Sequence, residues 1–288
     1  MTTTYVFPGQ GSHRVGMGEA AFGRYPHLVR QADSVLGYSV ADLCLSGPAE
    51  RLGDTRYTQP ALYVAGSLAY LERVRETGIV PSLLAGHSLG EYVALFAAGA
   101  FDFLTGLELV AERARLMAEA GDGGMCAVIG LDAGRVTELL ADVAPEGVTV
   151  ANLNAPRQVV LSGPRGLHDT LRGPLVDGGA RSVVSLPVSG AFHSPHMRPA
   201  AERFGAFLRS YRFNDLKIPV LSNVTARPHE DASLGELLTR QLVEPVRWTE
   251  CVGYALDQPG GDVVEVGPGR VLTGLLRQLR ESRAEAAA

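Results

Sequence analysis

The chain has 288 residues, 46% of them hydrophobic and 20% charged, with a formal net charge of −5. That balance fits a folded soluble enzyme, with one large domain carrying a smaller one, and offers no basic surplus for nucleic acid or an anionic membrane. Cys44, Cys126 and Cys251 are far apart and lack C-x-x-C spacing, which argues against a disulfide framework or a zinc site and fits a reducing cytoplasm.

The N-terminal residues lack the charged and apolar regions of a signal peptide, and no apolar run approaches the length of a membrane span. Tyr5-Val6-Phe7 reads as a short buried strand ended by Pro8-Gly9. Residues 17–36 and 59–77 carry helical patterning, with Pro60 suited to a first helical turn. Ser82–Gly86 reads as a central strand and Glu91–Ala98 as the apolar helix after it, followed by a helix over Gly106–Ala120. Ile218–Ser222 and Val263–Val266 read as further strands. Strands separated by helices argue for a parallel sheet covered on both faces. The tail Ala284–Ala288 is expected to fray.

The rhythm changes between 124 and 187. Met125–Ile129, Val148–Ala151, Gln158–Ser162 and Arg181–Leu186 read as strands. Asp132–Val143 reads as a helix with Asp132 as its N-cap, and Leu167–Asp177 as a helix that Gly173-Pro174 should break or kink. The order β-α-β-β-α-β is the ferredoxin-like motif. The expected division is therefore a large α/β domain of residues 1–123 and 188–288 with an inserted subdomain of residues 124–187. A ligand cleft is expected between them.

The strongest local signal is Gly86-His87-Ser88-Leu89-Gly90, a G-x-S-x-G pattern between a strand and a helix. A serine on such a sharp turn stands clear of the sheet, and the helix N-terminus makes the Leu89 amide a natural oxyanion donor. Its general base must come from elsewhere. Of seven histidines, His27, His168 and His229 sit in polar segments that suggest exposure, and His87 adjoins the serine on a turn whose neighbours point apart. His193 and His196, where the chain returns to the large domain, remain, and spacing alone does not separate them. Arg113 falls within the apolar stripe Leu109, Val110, Leu116, Met117, whereas Arg115 lies on the charged face. An inward guanidinium needs an anion: either a buried structural carboxylate or the carboxylate of a substrate, held bidentately. Phe7-Pro8-Gly9-Gln10-Gly11-Ser12 is a glycine-rich turn that could aim the Gln10 amide into the same oxyanion hole, and Glu265–Gly269 reads as a strand ending in a turn with a structural role only.

These segments, with Thr58-Gln59-Pro60-Ala61-Leu62, Gly190-Ala191-Phe192-His193-Ser194 and Pro245-Val246-Arg247-Trp248, resemble in order the malonyl-CoA:acyl carrier protein transacylase family, particularly its discrete polyketide members. The resemblance implies a hydrolase-like parallel core with a ferredoxin-like subdomain. It implies Ser88 as nucleophile, His193 as base, and the Gln10 and Leu89 amides as oxyanion donors. Arg113 then binds the substrate carboxylate, the Gln241 backbone orients His193, and Asn152 and Asn154 lie near the cleft. With no acidic third member, a dyad is expected, its tautomer held by a main-chain carbonyl. Phe192 resembles the residue that accompanies a malonyl rather than methylmalonyl choice. His13 departs from the family's usual glutamine, which bears on the cleft mouth and coenzyme A contacts.

The implied activity is malonyl transfer from malonyl-CoA to the phosphopantetheine thiol of an acyl carrier protein by a free-standing enzyme of polyketide or fatty-acid synthesis, with no bound cofactor or metal. The same residues would also serve another acyl group, carrier-to-carrier transfer, hydrolysis of carrier thioesters, or a non-catalytic carrier-docking module. Measured acyl-enzyme formation and the ratio of transfer to hydrolysis separate these.

Overall fold

The computed structural model of the chain describes residues 3–143 and 145–287. Its strands are β1 (Thr3–Phe7), β2 (Leu83–Gly86), β3 (Gly123–Ile129), β4 (Thr149–Ala155), β5 (Gln158–Pro164), β6 (Ser182–Ser185), β7 (Val220–Leu221) and β8 (Asp262–Glu265). They form two four-stranded sheets, ordered β7-β2-β1-β8 and β4-β5-β3-β6.

The first sheet is parallel throughout. Successive side chains of a strand face opposite sides. Tyr5, Phe7, Leu84 and Val220 enter one core, with the helices Thr55–Thr77, Gly90–Ala98 and Phe103–Glu119. Val6, Leu83, Ala85, Leu221 and Val263 enter the other, with Trp248 and the helix Val271–Ala287. Phe7 pairs with Gly86, so β1 and β2 end level and the turns carrying Gln10 and Ser88 emerge side by side. This carboxyl edge is where open parallel sheets bind ligands.

The second sheet is antiparallel, and its order β4-β5-β3-β6 is the ferredoxin-like topology. Cys126, Val128, Val159 and Leu161 face the helices Ala133–Val143 and Leu167–Asp177. Met125, Ala127 and Val160, one residue out of phase, face the large core. β4 is tied to the large body by backbone bonds from Leu153 N–H to the Val246 carbonyl (2.9 Å) and from Val246 N–H to the Ala151 carbonyl (2.9 Å). The fold is thus α/β, a hydrolase-like parallel core with a ferredoxin-like insertion.

Local departures from the sequence reading have physical causes. The helix expected from residue 59 starts at Thr55, because Asp54 caps it through the Arg56 N–H (2.9 Å), and Pro60 lies inside it. The segment 17–36 is two helices, Glu19–Arg24 and Pro26–Leu36, parted at Tyr25 (φ −119°, ψ 50°), where the following proline disfavours helical geometry. Leu167–Asp177 runs unbroken through Pro174, held by the buried stripe Leu167, Leu171 and Leu175. The strand expected over Ile218–Ser222 shortens to Val220–Leu221. The last helix continues to Ala287 instead of fraying from Ala284, and Ala288 lies outside the described residues. Glu265 caps this helix, accepting from the N–H groups of Leu272 (3.1 Å) and Thr273 (2.7 Å).

Candidate active site

Ser88 sits between β2 and the helix Gly90–Ala98 in the left-handed region, at φ 52°. The flanking glycines make this turn possible. A Cβ at Gly90 would strike the Phe7 carbonyl, and one at Gly86 would strike the Gly90 backbone. Asn223, just beyond β7, ties the turn down: its Oδ1 accepts from Ser88 N–H (2.7 Å) and its Nδ2 donates to the Gly86 carbonyl (2.7 Å).

His193, also at positive φ (56°) and buried, comes from the segment re-entering the large body after β6. Its Nδ1 lies 2.7 Å from the Gln241 carbonyl and its Nε2 lies 2.8 Å from Ser88 Oγ. A carbonyl only accepts, so Nδ1 carries the proton and Nε2 is free to accept from the serine hydroxyl. Burial, reinforced by the positive charge of Arg113, pushes the His193 pKa down to about 3. The imidazole is therefore neutral at ordinary pH and able to take a proton. His196, the alternative left open by spacing, turns instead to the Gly147 carbonyl (3.0 Å).

Arg113, from the helix Phe103–Glu119, is 1% exposed. Its Nη1 donates to Gln59 Oε1 (2.5 Å), and its Nη2 to Gln241 Oε1 (2.9 Å) and Ser88 Oγ (3.1 Å). The guanidinium also lies over the Tyr92 ring, 5.4 Å from its centroid. Its Nε–H has no partner, and no carboxylate of the described residues pairs with the group. Of the two anions the sequence allowed for, the structural carboxylate is not in contact.

A cavity of about 170 Å³ opens onto this cluster, lined by Ser88, Arg113 and His193 with Gln10, Leu89 and Phe192. The backbone N–H groups of Gln10 and Leu89 are not spent on other described residues. Asn152 and Asn154, neighbours on one β4 edge, also line it; Asn154 Oδ1 lies 2.8 Å from His87 Nε2. Met125 and Val160 of the second sheet close the roof, and His13 stands on the wall beside Gly11, whose N–H meets His13 Nδ1 at 3.4 Å.

One sequence expectation fails. His229 is not exposed: its side chain is fully buried, with Nε2 2.6 Å from Glu91 Oε1. The polar run Arg227–Asp231 concealed this, because the chain pairs back onto β7, where His229 N–H donates to the Val220 carbonyl (2.8 Å). Sequence reasoning also passed over Asn223, whose only signal is its place just after the edge strand β7, at the same carboxyl end of the sheet as Ser88.

A family model described as "Acyl transferase domain" matches residues 4–288. The chain belongs to the acyl transferase domain family. This acyl transferase is 47% identical over 280 residues to BaeC of Bacillus velezensis, a polyketide biosynthesis malonyl CoA-acyl carrier protein transacylase, covering 96% of each chain. A malonyl CoA-acyl carrier protein transacylase structure from Burkholderia pseudomallei superposes with a TM-score of 0.93 at 45% identity, covering 98% of both chains. A malonyl-transacylase solved in complex with a type II polyketide synthase acyl-carrier protein matches at TM-score 0.92 and 37% identity, covering 98% of this chain and 94% of that one. No helix among the described residues of the acyl transferase is long and apolar enough to cross a membrane.

Proposed function

We propose that the chain moves a malonyl group from malonyl-CoA to the phosphopantetheine thiol of an acyl carrier protein. The observation that carries this reading is a buried guanidinium with no carboxylate partner among the described residues, 3.1 Å from the hydroxyl of Ser88. Such a group needs an anion, and one held there places the rest of a short diacid at the serine.

In this reading the malonyl carboxylate docks on Arg113, replacing its contact with Ser88. As the serine oxygen attacks the thioester carbonyl, His193 Nε2 takes its proton and the oxyanion is held by the Gln10 and Leu89 amides. The carbon–sulfur bond breaks, the coenzyme A sulfur receives the proton from His193, and a malonyl ester remains on Ser88. The carrier thiol then gives its proton to His193, attacks the ester and releases Ser88, which recovers the proton. Gln241 orients His193 through its carbonyl, Phe192 crowds a substituent at the α carbon, and Asn152 and Asn154 line the acyl path. The cycle uses a coenzyme A thioester as substrate and the partner's phosphopantetheine, with no resident cofactor. The relatives named above support the carrier protein as partner.

The two sheets also support dividing the chain into a catalytic domain of residues 1–123 and 188–288 and a subdomain of residues 124–187. Three buried, unpaired cysteines support a reducing, cytoplasmic setting. Intact mass after brief incubation with malonyl-, methylmalonyl-, succinyl- or acetyl-CoA, followed by addition of a carrier with a free phosphopantetheine thiol, tests the proposal. The expected result is a malonyl adduct lost in Ser88→Ala and passed to the carrier. An intact enzyme that gains no malonyl mass overturns it.

A further inference from the structure

Behind Gln241 lies a buried charge for which the proposed cycle has no use. Glu91 is fully buried, and each of its neighbours can donate. Its Oε2 accepts from Asn223 N–H (3.1 Å) and Gln241 Nε2 (2.6 Å), and its Oε1 faces His229 Nε2 at 2.6 Å. Donors on both oxygens are what an ionised carboxylate requires.

The Gln241 amide stands between this carboxylate and Arg113. Its Oε1 accepts from Arg113 Nη2, while its Nε2 donates to Glu91 and to the Ser88 carbonyl (3.1 Å). The orientation is forced: a flipped amide would set N–H against the guanidinium and oxygen against the carboxylate. Glu91 is also among the charges that favour the protonated form of Arg113, against the burial that opposes it.

The structure assigns to Glu91 the role of remote counter-charge for Arg113, a positioning residue acting through the Gln241 amide; this rests on the reading of Arg113 as the carboxylate anchor. A carboxylate directly on the guanidinium would occupy the edge that substrate needs. No counter-charge at all would leave a buried cation heavily penalised. One intervening amide answers both demands, and it fixes the residue whose carbonyl holds His193. The same negative charge repels an incoming diacid, so the site binds malonyl less tightly than Arg113 alone would.

The test is calorimetric binding in the non-reacting Ser88→Ala protein, with malonyl-CoA and with acetyl-CoA, which has no free carboxylate. Glu91→Gln keeps the size and an acceptor but removes the charge. It is expected to tighten malonyl-CoA binding roughly tenfold, for charges one amide apart at an effective dielectric near 20, and to leave acetyl-CoA unchanged. Glu91→Asp, which keeps the charge, is expected to stay near the parent. Weakening of both ligands together, or no change in either, overturns the assignment. If malonyl-CoA fails to bind with Glu91 intact, the anchor reading falls, and this inference with it. Should Glu91→Gln not fold, adding Arg113→Met removes the unopposed cation and must restore folding; a double variant no more stable than the single one refutes the idea.

Discussion

Replacing Arg113 with methionine separates its two proposed effects, because methionine keeps much of the side-chain volume and removes the charge. Arg113 is 1% exposed and has no carboxylate partner among the described residues, so a malonyl carboxylate on it forms a buried pair. Breaking such a pair costs about 3–5 kcal/mol. At about 1.4 kcal/mol per decade, malonyl acylation falls roughly 100- to 4000-fold. Acetyl-CoA has no carboxylate to lose. The charge of Arg113 is also one of the causes holding His193 at about 3, and its removal lets the base strengthen toward 6.5. Acetylation of Ser88 is therefore expected to hold or rise while malonylation collapses. Time courses of intact mass with each coenzyme A ester measure both. A variant that keeps its malonyl preference, or loses both acyl groups by the same factor, refutes the reasoning and leaves Arg113 a structural residue.

Substituting Ser88→Ala should abolish the mass adduct with every acyl donor, and a persisting adduct would move the nucleophile elsewhere. His193 is neutral in the fold and protonated in the unfolded chain below 6.5, so its contribution to stability is complete above 6.5 and drains as pH falls toward 3. That loss is at most about 1.4 kcal/mol per pH unit, and His193→Gln should flatten the melting temperature across this window; an unaltered acid slope would contradict it. Asn223→Ala strands the Ser88 N–H and the Gly86 carbonyl, costing about 1–3 kcal/mol for each buried group left unpaired, to be read as a lowered melting midpoint with slower acylation. Phe192→Ala should raise methylmalonyl relative to malonyl acylation by up to about 1–3 kcal/mol of discrimination, and an unchanged ratio of the two rates would clear Phe192 of any part in selectivity.

Much of this architecture could be read from residue patterns, because the patterns are set by burial. Val6 and Phe7 on opposite faces of β1, and the inward Arg113 among Leu109, Val110, Leu116 and Met117, follow from periods of two and of 3.6 residues. The G-x-S-x-G turn was legible because backbone clearance, not chemistry, demands its glycines. What periodicity does not carry is pairing across the chain. Asn223 lies 135 residues from Ser88, and His229 lies 138 from Glu91. Each sits in a short polar stretch that looks like any exposed turn, and only the return of the chain onto β7 buries His229. The choice between His193 and His196 had the same limit: they lie three residues apart, and it is the left-handed backbone of His193 itself that accompanies its contact with Ser88, while His196 turns to Gly147.

The polar core also couples the parts of the site to one another. The His193 tautomer depends on the Gln241 carbonyl, and the Gln241 side chain is held by Arg113 on one side and Glu91 on the other. Glu91 meets the backbone of Asn223, whose side chain holds the Ser88 turn. The hydroxyl, the imidazole and the guanidinium are therefore joined through a closed ring of buried hydrogen bonds rather than three independent placements. Coupling of that kind makes deletions non-additive: once one member of the ring is removed, the second removal finds part of the geometry already lost.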